Sequence, residues 1–211
     1  MGIQSWWDKH GVPRLIKVAC GTKPMLKLRS QVVPLARGKV FEIGCGGGIN
    51  QQFYNAAQIT SYAGIDPGGK LLDYARAEAQ KKGWEADIRD GIGEDIPFGD
   101  ASFDTVVCTF TMCSVQDQVQ VVREMRRILK PGGKLLFLEH GRSPDAKIAK
   151  WQDRIEPVWK PIAGGCHLTR PITTAVSDGG FDVETMGKEY APGTPRPVGW
   201  MEWGAGMKSG A

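Results

Sequence analysis

Four glycines crowd into Gly44-Cys45-Gly46-Gly47-Gly48, directly after the strand-like segment from Lys39 to Ile43. A turn this bare at the end of a strand lets a ligand meet the backbone, which is where doubly wound sheets bind small molecules. A dinucleotide fingerprint would use Gly44 and Gly46 and then need a small residue where Ile49 stands. A phosphate-cradling loop would need a lysine where the chain reads Gly48-Ile49-Asn50. What remains is a ligand with a ribose, a base and an ammonium group. Asp66 lies 22 residues beyond Gly44, where a carboxylate can accept both ribose hydroxyl protons. Glu42, beside the turn, can help organise a cationic amino-acid moiety.

These residues need a scaffold, and the pattern supplies one. Lys39 to Ile43 reads as a strand, Ile49 to about Ala56 as a helix, and Ser61 to Asp66 as a second strand, together a βαβ unit. A helix from Gly68 to Lys82 stops at Gly83. Trp84 to Ile88 reads as a third strand, and Phe103 to Thr109, rich in β-branched residues, as a stronger one covered on both faces. Asp117 to Lys130 is a helix with an N-cap candidate, which Pro131-Gly132-Gly133 ends before a strand from Lys134 to His140. A Trp-bearing segment, Ala146 to Ala163, and a helix from Pro171 to Asp178 capped by Thr169 follow. The last strands, Phe181 to Tyr190 and Gly199 to Met207, have only a Pro-rich connection, which predicts an antiparallel pair at the sheet's edge. The expected fold is α/β: a doubly wound, Rossmann-like seven-stranded sheet, mostly parallel with an antiparallel last strand, helices on both faces. Residues 1–38 read as a helical extension or lid, and 39–211 as the domain proper.

Composition narrows the function classes. The chain of 211 residues, 41% hydrophobic and 24% charged, is long enough to bury a full core without staples. Its five cysteines form an odd set with no C-x-x-C pair, and its three histidines lie far apart, so the expectation is a reducing compartment and no metal. No stretch offers a membrane span, which reads as a cytoplasmic protein. Between Lys9 and Phe41 there are eight Lys or Arg and no acid, leaving the remainder at −4. That basic arm reads as a solvated face, with peripheral contact to an anionic membrane surface as the alternative. Nucleic acid is not expected, because the basic residues are not interleaved with a reading motif.

The ordered motifs resemble those of class I S-adenosylmethionine-dependent methyltransferases: E-x-G-x-G-x-G at 42 to 48, Asp66, Gly93-Glu94-Asp95-Ile96-Pro97-Phe98, Ser102-Phe103-Asp104 and Leu129-Lys130-Pro131-Gly132-Gly133. The resemblance implies that Glu42, Gly44, Cys45, Gly46 and Gly48 lie along the methionine part of the cofactor. It further implies that Asp66, followed by Pro67, holds the ribose, that Ile92, Gly93 and Glu94 lie by the adenine, and that Thr109 and Phe110 approach the methyl group. The stretches Val107 to Val115, Leu138-Glu139-His140 and Gly165 to Arg170 are similar to those of the methyltransferase-like 7 group, animal alkyl thiol methyltransferases. His167 departs from the Asn usual in that group, and the apolar N-terminal anchor is not seen.

Methyl transfer from a sulfonium asks mainly for collinear positioning in a dry pocket. A thiol acceptor has a pKa of about 8.5, so a base that takes its proton raises the reactive fraction. His140, ending the fifth strand on the edge of the glycine turn, is the preferred base, with His10 and His167 as alternatives. Trp6, Trp7, Trp151 and Trp159 are candidate pocket walls, and Cys113 a candidate lining residue. The expected acceptor is a small thiol. A small amine, phenol or phospholipid headgroup comes second, and a catalytically silent cofactor-binding partner subunit is the rival of another class.

Overall fold

Val40 to Ile43 and Val106 to Cys108 are buried on successive positions, with Glu42 the one charged residue among them, because both faces of their strands are covered by packed chain. In the computed structural model, which describes Trp7, Gly11, Val12 and residues 20–208, these strands sit at the centre of a seven-stranded sheet. The strands are β1 (Gly38–Ile43), β2 (Ile59–Asp66), β3 (Ala86–Asp90), β4 (Phe103–Thr109), β5 (Leu129–His140), β6 (Phe181–Tyr190) and β7 (Trp200–Lys208). Their order is β3-β2-β1-β4-β5-β7-β6, parallel from β3 through β5, with β7 antiparallel to both β5 and β6. The chain therefore reverses its direction of travel across the sheet between β1 and β4, and the crevice above those two strand ends is the switch point where such sheets take ligands.

The helices are α1 (Lys23–Val32), α2 (Gly69–Lys81), α3 (Gln118–Ile128), α4 (Ala146–Ile162) and α5 (Ile172–Asp178). Two apolar clusters form, one on each face of the sheet. Leu28, Val32, Leu72 and Ala75 pack with Tyr62, Val107 and Leu136 on one side. Met125, Ile128, Ile172 and Val176 pack with Phe41, Ile43, Val106 and Phe137 on the other. Met25, Leu28, Val32 and Val33 of the N-terminal extension are thus buried core residues.

Several boundaries differ from the sequence reading. The helix expected from Ile49 is replaced by two short 3-10 turns, Ile49–Gln52 and Ala56–Gln58. Asn50 and Gln51 are buried there, and their amides bond to Glu42, Thr109 and the Ala75 carbonyl. The third strand lies two residues later than expected. β5 begins at Leu129, because that residue pairs with Phe103 ahead of a register shift, so Pro131-Gly132-Gly133 lies within the strand and α3 ends at Ile128. Asp117 does cap α3, accepting from Gln120 N at 3.0 Å. Thr169 does not cap α5, since the N-cap position is Pro171; Thr169 N donates instead to Glu156 Oε2.

Candidate functional site

The turn after β1 needs its glycines. Gly44, Gly46 and Gly48 have φ of +67°, +49° and +81°, a region that costs any other residue strain. A Cβ on Gly44 would lie 2.1 Å from Thr111 Oγ1. On Gly46 the nearest atom would be Asp66 Oδ2 at 3.9 Å, so that position opens onto free space above the strand ends. Gly46 N donates to Asp66 Oδ2 at 3.0 Å, and Gly68 N to Asp66 Oδ1 at 2.8 Å. Each Asp66 oxygen keeps a further lone pair for a ligand hydroxyl. Partial burial raises the Asp66 carboxyl, against the pull of those two amides. Cys45 is buried, with its amide donating to Ile65 O at 3.0 Å, and contributes backbone. Pro67 is exposed after the acid.

Behind the turn lies a buried polar network. Glu42, 1% exposed, accepts from Asn50 Nδ2 at 2.9 Å, Tyr54 Oη at 2.8 Å and Tyr62 Oη at 2.8 Å. Burial lifts its carboxyl to about 7, opposed by those hydroxyls, Arg29 and Asn50. Both oxygens are engaged, so Glu42 reaches the site through Asn50. Thr109 Oγ1 accepts from Asn50 Nδ2 at 2.9 Å and from Arg29 Nη1 at 2.7 Å. Arg29, on α1, is buried over the Phe110 ring, 4.7 Å from its centroid. Its Nε has no hydrogen-bond partner among the described residues. A buried guanidinium nitrogen short of an acceptor fits the carboxylate of an amino-acid ligand. Phe110 itself has φ of +56°, a strained conformation for a bulky residue.

The chain past Phe110 is pinned by Glu139. This fully buried carboxylate accepts from Thr111 N at 2.8 Å, Met112 N at 3.0 Å and Cys113 N at 3.3 Å. The next residue, His140, is 6% exposed. Its Nδ1 shares a 3.5 Å hydrogen bond with Cys166 Sγ, while Nε2 has no partner among the described residues. His140 stands two residues beyond Leu138, whose partner across the sheet is Thr109. Cys113 and Trp159 both adjoin Cys166 Sγ, so three expected residues, His140, Cys113 and Trp159, meet around one sulfur.

Others lie apart. The His167 ring is tied to Glu156 Oε1 at 2.9 Å, and Leu168 N and Thr169 N hold the other oxygen of that carboxylate. Trp151 is 52% exposed, with the Arg154 guanidinium 5.6 Å from its ring. Trp7 Nε1 donates to Ile162 O at 3.1 Å at the end of α4. Trp6 and His10 lie outside the described residues. Ile92, 52% exposed, follows β3 as an apolar surface beside the crevice, and a Cβ on Gly93 would meet Ile43 at 2.6 Å. Glu94 Oε1 accepts from Gln116 N and Asp117 N, at 2.8 and 3.1 Å. Sequence reasoning missed Arg29, Asn50, Glu139 and Cys166 as site residues. An arginine within the basic arm on the apolar stripe of Met25, Leu28 and Val32 is the one signal that could have marked Arg29.

A glycine turn at the switch point, a carboxylate placed for a ribose, and a buried arginine short of an anion describe a site for an adenosyl amino acid. Comparison with known proteins agrees. Residues 41–137 match the methyltransferase domain family. Thiol S-methyltransferase TMT1B of Homo sapiens is 38% identical over 188 residues, covering 84% of this chain and 73% of that protein. The same-named protein of Rattus norvegicus is 38% identical over 166 residues, covering 76% of this chain and 66% of its own length. The chain thus spans 66–73% of the length of these relatives. Among solved structures, a geranyl diphosphate methyltransferase in complex with S-adenosylmethionine aligns with a TM-score of 0.65 at 14% identity, covering 87% of this chain and 84% of that one. The chain belongs to the S-adenosylmethionine-dependent methyltransferases.

Proposed function

We propose that the protein methylates a small thiol, with His140 Nε2 as the base. The observation that carries this reading is a buried imidazole nitrogen without a partner at the crevice end of β5, in a chain 38% identical to proteins named thiol S-methyltransferase. S-adenosylmethionine supplies an electrophilic methyl group on a sulfonium. The chain's own residues hold and orient. Asp66 accepts from the ribose hydroxyls, the amides and bare surface of Gly44 to Gly48 line the amino-acid portion, and Arg29 Nε takes its carboxylate. Ile92 offers an apolar face to the adenine. Phe110, Trp159 and Leu138 narrow the space beyond and limit water, which keeps an in-line approach favourable.

His140 Nε2 receives the acceptor proton, and the Cys166 contact at Nδ1 fixes the ring. Of the N-terminal extension, Trp7 and residues 20–38 act as the lid over this end of the sheet, a role supported by the Trp7 contact to Ile162 and by Arg29 in the site. Lys23 and Lys27, exposed on α1, give the same segment a cationic face for peripheral contact with an anionic membrane.

The test is His140→Gln assayed with an alkyl thiol, an amine and a phenol. With the thiol, turnover should fall about 100-fold near neutral pH while cofactor affinity is kept, and the deficit should shrink as the acceptor ionises by itself. Turnover unchanged from about pH 6 to 9 would place the base elsewhere. Product with the amine or phenol alone would reassign the acceptor. Cofactor binding without product from any acceptor would favour the silent-partner reading.

A further inference from the structure

Cys113 and Cys166 come from segments far apart in sequence that the fold joins directly. His167 N donates to Cys113 O at 2.8 Å, so the backbones run side by side and the two cysteines adjoin. Their surroundings differ. Cys113 is buried at 3% exposure and fixed by its amide to Glu139. Cys166 is partly exposed and follows Gly164 and Gly165, both at positive φ. Its sulfur also carries the His140 Nδ1 contact at 3.5 Å. The adjoining Cys113 thiol, then the His140 contact, hold Cys166 well below the ordinary thiol range despite burial. The adjoining Cys166, together with burial, keeps Cys113 protonated. An accessible thiolate beside a protonated partner is the arrangement of an attacking and a resolving cysteine.

We propose that Cys113 and Cys166 are a redox pair that reacts with small-molecule disulfides such as oxidised glutathione and closes to an intramolecular disulfide. This goes beyond the transfer reaction and does not depend on the identity of its acceptor. The Cys166 thiolate attacks one sulfur of the oxidant, forming a mixed disulfide as the oxidant's own S–S bond breaks and one thiolate leaves. Cys113 then loses its proton and attacks the Cys166 sulfur, and the second thiolate departs. The proton from Cys113 and the one that Cys166 released on ionising end on the two departing thiols. The oxidant is reduced to two thiols, and the cysteines are oxidised to one disulfide. Closure removes the sulfur contact that orients His140.

The experiment treats the reduced full chain with oxidised glutathione and maps its cysteines by peptide mass spectrometry. The expected product is a Cys113–Cys166 linked peptide lighter by two hydrogens and restored by dithiothreitol. Cys113→Ser should instead stop at a glutathione adduct on Cys166. In the reduced protein, Cys166 should be alkylated at least ~10-fold faster than Cys20, whose thiol burial pushes up to about 11. Binding of S-adenosylhomocysteine reports that each variant is folded. A linkage through Cys20, no linkage in the wild-type chain, or Cys166 reacting no faster than Cys20 would each overturn the proposal. The wild-type mapping decides the matter even if a serine variant does not fold.

Discussion

Removing the Asp66 carboxylate tests the cofactor site most directly. Among the described residues, its oxygens accept from Gly46 N and Gly68 N alone, and ribose hydroxyls would add two charge-assisted bonds on the remaining lone pairs. A hydrogen bond to a charged group contributes about 1.5–3 kcal/mol, and two on one carboxylate are not additive, so Asp66→Ala should cost about 3 kcal/mol of binding, or ~150-fold in Kd. Asp66→Asn keeps one acceptor oxygen and should lose about 10-fold. Neither change should unfold the chain. Asp66 is only partly buried at a strand end, and the two freed amides can bond to water, so the expected fall in Tm is a few degrees, roughly 2–4 °C. Isothermal titration with S-adenosylhomocysteine, alongside thermal melts, reads both quantities. If both variants bind within about threefold of the parent while melting normally, the ribose is held elsewhere and the assignment fails.

Two further outcomes follow from the same geometry. Because burial raises the Glu42 carboxyl to about 7, the folded chain keeps a proton that the unfolded chain has released above the usual carboxylate range. Its stability should fall as pH rises from about 4.5 to 7, by roughly 3 kcal/mol relative to Glu42→Gln, which lacks the titration. Urea unfolding of both proteins across that range checks it, and a pH-independent difference would mean that Tyr54, Tyr62 and Asn50 hold the group ionised. Gly44→Ala combines a left-handed φ of +67° with a Cβ 2.1 Å from Thr111 Oγ1. It should destabilise the fold by about 1–3 kcal/mol and weaken cofactor binding more than Gly47→Ala, whose nearest contact would be 3.8 Å. Melts and titration of the pair decide this.

What the sequence disclosed was local in character. The glycine turn and Asp66 were legible because a left-handed turn after an apolar strand and an acid at the next strand end leave marks within a few dozen residues. The mostly parallel sheet with an antiparallel pair at its edge followed from the same alternation of elements. Asn50 was hidden by its own segment, which has helical composition but folds as 3-10 turns so that the amide can reach Glu42 and Thr109. Arg29 was hidden by its company. Eight basic residues without an acid read as a solvated arm, yet one of them is 3% exposed and bonds to a hydroxyl 80 positions away. The junction of Cys113, His140 and Cys166 joins three segments that no spacing rule connects. Trp151 shows the opposite failing, since an aromatic on the right helix points to solvent when its position on the turn is wrong.

The three amides that converge on Glu139 confine where this enzyme can vary. Shifting the chain between Thr111 and Cys113 by even one residue would leave a carboxylate stranded in the core, at a cost of several kcal/mol. Insertions after β4 are therefore closed to it as a route to new acceptors. The stretch from α4 through the glycine pair ahead of Cys166 is held by the half-buried Glu156 on the amides of Leu168 and Thr169, a looser tie than a carboxylate sealed in the core. Change in an acceptor has that stretch to work with first.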